Sequence, residues 1–217
     1  MDMGNTRLSG RVERLRNKLL NSRNSLYIGR ARLLTESMKG TEGAPVILRW
    51  AKALRHILEN MSVSISPDEI IVGNIVRSPP GAIFYPELAG FLLVPEVDKI
   101  RERKVNPFLI TDEEISIIKK EIHPYWKDKT IMSHAAKLFP RGLEEVAWAT
   151  NIFLLTEVAG ISHATVNYPH LLSVGLREII KRAEERDGEF YEAVALALKG
   201  IIKFAERHAE LAEKLSR

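Results

Sequence analysis

Apolar positions recur with a helical period through most of the chain. Leu8, Val12, Leu15 and Leu19 stand three and four residues apart and predict a first helix over residues 7–20. A second periodic stretch predicts a helix over 25–38, with Gly40 and Gly43 punctuating its end. Pro45 then occupies a first-turn position, and Ile47, Leu48, Ala51, Leu54, Ile57 and Leu58 predict a third helix reaching about residue 61. Val63-Ser64-Ile65-Ser66 alternates as a strand does. Glu69-Ile70-Ile71-Val72-Gly73-Asn74 reads as a short, buried extended run ending in a turn pair.

Between Ser78 and Pro107 the pattern is broken by five of the ten prolines, which rules out a long helix and predicts an ordered, irregular stretch wrapping a larger body. Periodicity resumes at Thr111-Asp112-Glu113-Glu114, a capping box followed by Ile115, Ile117, Ile118 and Ile122, and His123-Pro124 is expected to end that helix. Further helices fit 130–138, 142–156, 168–185 and 189–215. The 168–185 helix has Asn167 as its N-cap and Tyr168-Pro169 in its first turn. The last helix places Phe190, Val194, Leu198, Ile201, Ala205, His208, Leu211 and Leu215 on one stripe. The fold class is therefore mainly α with a few short strands. Those strands have no evident partners, so the chain is expected to pack against something else.

Composition narrows the class. In 217 residues, 45% apolar and 28% charged side chains suffice for a packed core and exclude disordered and fibrous classes. No run of eighteen apolar residues occurs and the first twenty residues lack a signal-peptide core, so a soluble, cytoplasmic protein with no membrane partner is expected. Absence of cysteine excludes disulfides, Cys-ligated metal sites and a thiol nucleophile in this chain. Glutamine is also absent while Lys, Arg and Glu are plentiful, a bias expected of a hot environment. The net charge of +4 is uneven: residues 1–59 hold 12 basic and 5 acidic side chains, a balance of +7, leaving −3 for the rest. Arg7, Arg11, Arg14 and Lys18 share one face of the first helix. Such a stripe can track phosphates or face solvent, and without a nucleic-acid fold motif no nucleic-acid partner is expected.

Candidate chemistry is sparse. The six histidines include no i, i+4 pair and no H-E-x-x-H, so no metal site is expected. Nucleotide-binding glycine loops and the G-x-S-x-G elbow are absent, and His208 on an apolar stripe reads as a hydrogen-bonded core or edge residue. One small, polar link stands out, Ala159-Gly160-Ile161-Ser162-His163-Ala164-Thr165-Val166-Asn167-Tyr168-Pro169, which places His163 ahead of the positive end of the 168–185 helix. Spacing alone favours a structural loop histidine there.

The order of several motifs says more than any one of them. These are Arg30-Ala31-Arg32-Leu33-Leu34-Thr35-Glu36-Ser37, the Arg49–Leu58 helix, Glu69–Asn74, Tyr85-Pro86-Glu87, Asn106-Pro107-Phe108, Pro124–Thr130, and His163–Tyr168 followed by Gly175-Leu176 and Ile179-Ile180. Together, from about residue 7 to 217, they resemble the N-terminal part of the glycyl radical enzymes, in the branch of pyruvate formate-lyase and the glycerol or diol dehydratases.

The resemblance implies the N-terminal helical portion of a ten-stranded α/β barrel, present as a partial domain over 1–217. It implies a glycyl radical installed by a radical S-adenosylmethionine activating enzyme, and a thiyl-forming cysteine. Neither the cysteine nor the radical-glycine region is expected here, so this chain holds no catalytic residue and no cofactor of its own. By the same resemblance His163 sits where the family contacts substrate. Pyruvate-cleaving members are similar but have an arginine there, suited to a carboxylate, whereas dehydratase-like members share the histidine, suited to a neutral hydroxyl. This chain has Asn167 and Ser162 where the family commonly has aspartate and glycine. Two readings stay open: the N-terminal segment of a lyase or dehydratase assembling, as a homo- or hetero-oligomer, with a complementing chain that carries the cysteine and radical glycine, or a non-catalytic remnant or helical interaction module.

Overall fold

The computed structural model describes residues 9–75, 81–88, 90–130, 133–134, 137–138, 140, 142 and 165–216. The helices expected at 130–138 and 142–156, and His163, fall largely or wholly outside them.

Three helices build the N-terminal body: α1 (Gly10–Asn21), α2 (Gly29–Gly40) and α3 (Val46–Asn60). The helix expected over 25–38 is shorter than its pattern. Ser25–Tyr27 is instead strand β1, paired in parallel with β2 (Gly81–Ile83) and bridged at Ser25 to Leu109. Its partners lie more than fifty residues away, so its apolar residues read locally as the start of a helix. The expected strand at 63–66 does not form, and Ile70 and Ile71 are 74% and 91% exposed rather than buried. That segment is held by its polar residues. Asp68 accepts from Arg11 Nη1 at its carbonyl (2.8 Å) and from Arg14 Nε at its carboxylate (2.9 Å), and Lys18 Nζ reaches Ser66 Oγ at 2.8 Å. Three members of the basic stripe on α1 therefore bind a loop of their own chain, and α1 buries no side chain of its own.

Among the described residues of the proline-rich stretch no long α-helix forms, but the stretch is more regular than the irregular loop expected: Gly90–Glu102 winds as a 3-10 helix. Three residues per turn align Val94, Val97 and Ile100 on one side, and Val97 and Ile100 are fully buried. They meet Leu34 and Met38 of α2, Ala53 and Ile57 of α3, and Ile115, Ile118, Ile122 and Trp126 in the main core.

Thr111 caps α4 (Asp112–Ile117) with both bonds of the capping box present, as the sequence predicts. His123-Pro124 does not end this run. A π turn over Ile118–Ile122 intervenes, with His123 N donating to Ile118 O, and Pro124 falls in the first turn of α5 (His123–Trp126), where a missing N–H costs nothing. The chain then delivers Trp126 into the core, 4% exposed, with Nε1 donating to Thr35 Oγ1 at 2.8 Å; that hydroxyl in turn donates to Ala31 O.

The C-terminal pair is α6 (Tyr168–Glu184) and α7 (Glu189–Leu215). At 27 residues α7 is about 40 Å long. It runs alongside α3 in the same direction, with Ala193 beside Leu48 and Ala51, and Gly200 against Arg55. Its buried positions are Ala193, Ala195, Gly200 and His208, so only part of the expected stripe is internal, and Phe190 and Leu215 face outward. Small residues win because the helices approach closely. A Cβ at position 200 would lie 2.8 Å from Arg55 Cα. Arginines close two helix ends, Arg49 donating to Met38 O of α2, and Arg207 to Leu58 O and Met61 O at the end of α3. His208 is buried, its Nδ1 3.0 Å from Phe204 O, in agreement with a hydrogen-bonded core histidine. Among the described residues no helix is long and apolar enough to cross a membrane.

Two outcomes follow from this packing. Gly200→Ala should destabilise the chain by about 1–2 kcal/mol, overpacking against the α3 backbone outweighing the better helix propensity of alanine; chemical denaturation that shows a gain in stability would mean the two helices separate freely. Asp68 is held below its ordinary value of 3.8, first by the hydrogen bond from Arg14. A lowered carboxylate stabilises the fold above its unfolded-state value, and that contribution disappears as pH falls through the folded value. Hydrogen exchange in α1, corrected for intrinsic rates, should therefore accelerate as pH drops below about 4 and become flat with pH in Asp68→Asn.

Candidate functional site

The expected substrate-binding residue, His163, lies outside the described residues, which resume at Thr165. Thr165, Val166 and Asn167 are exposed, and Asn167 Oδ1 accepts from His170 N at 3.2 Å, the N-cap that the sequence predicts for α6. Tyr168 N donates to Val166 O at 2.8 Å and tightens the turn. The helix behind this loop is not one continuous rod. Gly175 takes φ 77° and ψ 161°, a conformation open only to glycine, and splits α6 after two turns. The loop is thus displayed on a short segment whose dipole is correspondingly limited.

Motifs that are distant in sequence converge elsewhere. Arg30 on α2 pairs with Glu87 after β2 (Nη2–Oε1 2.6 Å), and its guanidinium lies 4.5 Å from the Tyr85 ring centre. Both partners are mostly buried, and Arg30 Nη1 and Glu87 Oε2 have no further partner. A second convergence surrounds Tyr125. Arg49 donates to its hydroxyl at 3.2 Å, Lys129 Nζ stands 3.6 Å from the ring centre, and Lys129 pairs with Glu42 at 2.9 Å. The Lys129 ammonium lowers the Glu42 carboxyl below its ordinary range, and Glu42 raises Lys129 in return. Sequence order marks these residues without revealing their contacts. A guanidinium and a carboxylate more than fifty residues apart carry no local signal of pairing.

Chemically, both clusters hold segments together: Arg30, Glu87, Lys129 and Glu42 each have a partner of opposite sign, and Arg49 is held by the Met38 carbonyl and the Tyr125 hydroxyl. Among the described residues no three His, Asp or Glu side chains gather where they could hold a metal ion. An apolar cleft of about 450 Å³ lies among α2, α3 and α7, with Arg30, Leu34, Trp50 and Phe190 in its lining.

Comparison with known proteins defines what these elements belong to. A family model described as pyruvate formate lyase-like matches residues 4–217. The isethionate sulfite-lyase of Nitratidesulfovibrio vulgaris is 32% identical over 90% of this chain and 26% of its own length. A solved glycyl radical enzyme from Archaeoglobus fulgidus superposes with a TM-score of 0.86 at 39% identity, covering 94% of this chain and 28% of that one. The glycerol-bound B12-independent glycerol dehydratase from Clostridium butyricum gives 0.84 at 29% identity, over 99% of this chain and 29% of that one. The chain therefore spans about a quarter of the length of the curated relatives it matches. The fold is that of an N-terminal part of a glycyl radical enzyme, and the chain belongs to the pyruvate formate lyase-like family.

Proposed function

We propose that this chain acts as the N-terminal segment of a glycyl radical lyase or dehydratase and is inactive without the portion of the fold that carries the thiyl-forming cysteine and the radical glycine. The observation that carries the proposal is the match over residues 4–217 in a sequence without cysteine. Names among the relatives favour elimination over pyruvate cleavage: sulfite-lyase, (2S)-3-sulfopropanediol dehydratase and glycerol dehydratase. His163 fits the same branch, because a neutral imidazole bonds a hydroxyl where an arginine would select a carboxylate.

In this proposal His163 binds the substrate hydroxyl and, when protonated, gives its proton to the departing oxygen, which leaves as water. The radical that starts the reaction comes from that other portion of the fold. The N-cap of Asn167 and the turn at Val166–Tyr168 hold the residues that follow, from Val166 on. The activating enzyme of the radical S-adenosylmethionine class, an anaerobic cytoplasmic setting and a hot source belong to this proposal as well.

In the enzyme that contains both this segment and the portion with the cysteine and radical glycine, His163→Ala should lower turnover about a hundredfold, the usual scale of lost general acid catalysis, with assembly and melting temperature nearly unchanged. Full activity with a stability loss of about 1 kcal/mol or more would make the residue a structural neighbour of the cap. An assembly that forms but never turns over, even when activated, would favour the non-catalytic reading.

A further inference from the structure

Three aromatic side chains from α3 and α5 stand in file. The Trp50 and Trp126 ring centres are 6.4 Å apart, and the Trp126 and Tyr125 rings meet edge to face at 5.2 Å. Such contacts bury apolar area and favour this geometry on packing grounds alone. They also bring the rings close enough for an electron to pass from one to the next. Packing does not explain how differently the two ends of the file treat a proton, and the proton decides where an electron vacancy comes to rest.

At Trp126 the proton is held. The indole is buried, its Nε1–H donates to Thr35 Oγ1 at 2.8 Å, and the Thr35 hydroxyl already donates to Ala31 O at 2.7 Å. A hydroxyl so placed is a weak base, so an oxidised Trp126 keeps its N–H and stays a strongly oxidising radical cation.

At Tyr125 the proton has an acceptor. Arg49 Nη2 donates to the phenol oxygen at 3.2 Å, which leaves the hydroxyl hydrogen available to another group. Glu42 is the carboxylate beside it, held below its ordinary range first by Lys129 and also by the Tyr125 hydroxyl. The Lys129 ammonium, 3.6 Å from the ring centre, opposes positive charge on the ring, so Tyr125 gives up an electron only as its proton leaves. The product is a neutral phenoxyl whose oxygen still accepts from Arg49.

The geometry points to a one-electron relay that carries an oxidising equivalent from Trp50 through the buried Trp126 and leaves it as a neutral radical on Tyr125, with Glu42 taking the proton. The oxidant it would intercept is of the oxygen-derived radical class. That oxidant gains one electron from Trp50, Trp50 regains one from Trp126, Trp126 regains one from Tyr125, and the phenol proton passes to the Glu42 carboxylate. The relay lies within this chain and does not involve His163.

The test uses the whole 217-residue chain, with photogenerated tris(bipyridyl)ruthenium(III) as the oxidant. Transient absorption and freeze-quenched paramagnetic resonance distinguish tryptophanyl from tyrosyl radicals. In the parent, a tryptophanyl signal should decay into a tyrosyl one. Tyr125→Phe should lose the tyrosyl signal and prolong the tryptophanyl one, and Trp50→Phe should lower the tyrosyl yield. Glu42→Gln should slow the conversion about a hundredfold, the usual contribution of a positioned proton acceptor. Tyr168→Phe, at an exposed ring outside the file, is the control and should match the parent. A tyrosyl yield unchanged in Tyr125→Phe or in Trp50→Phe, or a conversion rate indifferent to Glu42→Gln, would overturn the proposal.

Discussion

The close approach of α3 and α7 at Gly200 is the constraint on which the rest of the architecture depends. The main core gathers around α2, α3, the 3-10 helix and the α4–α5 run, all from the first 126 residues. The C-terminal helices join it through α7, which lies on α3 where position 200 has no Cβ to hold them apart. Arg207, two turns further along, donates to the carbonyls that end α3 and fixes how far α7 can slide. α6 then packs on α7 through Ile180 and Ala183. A larger residue at the crossing would therefore be felt in α6, and in the loop that α6 displays, as well as locally.

The polar contacts divide by what they hold. Many of the ion pairs are exposed, such as Lys181–Glu185 and Arg182–Glu178 along α6, and pairs of this kind contribute little each. Arg30–Glu87 under Tyr85 and the group around Tyr125 instead join elements that backbone hydrogen bonds do not. The first links α2 to the chain after β2, and the second links the ends of α2, α3 and α5. Trp126 belongs with them, since burying its indole is favourable only because Thr35 accepts its N–H.

Where local chemistry decides the structure, the sequence was a good guide. The capping box at Thr111, the N-cap at Asn167, the third helix and the long last helix all stand where residue type and spacing placed them, because a cap or an amphipathic period is a property of neighbours in sequence. Where a distant partner decides, the guide failed. β1 exists through Ala82 and Leu109, and Ile70–Val72 is exposed because Asp68 and Ser66, not the isoleucines, are the residues gripped by α1. The period of the last helix located its boundaries but not its inner face, since steric room beside α3 selected alanine and glycine over larger side chains. For the candidate site, motif order was legible and contact was not: Arg30 and Tyr85-Pro86-Glu87 are readable as markers, and only the folded chain makes them one cluster.

The π turn at Ile118–Ile122 has a consequence for length variation. Such a turn is an α-helix carrying one additional residue, and it rotates everything downstream by about 100° relative to an uninterrupted helix. Trp126 meets Thr35, and Tyr125 meets Arg49, only with that rotation in place. A homologue shortened by one residue between Ile118 and Ile122 would regain a regular helix and aim its indole away from the core. Because it would also bring Pro124 into a helix interior, the one-residue gap would be rejected twice. The segment is thus a counting device, in which the number of residues, more than their identity, is what the fold holds constant.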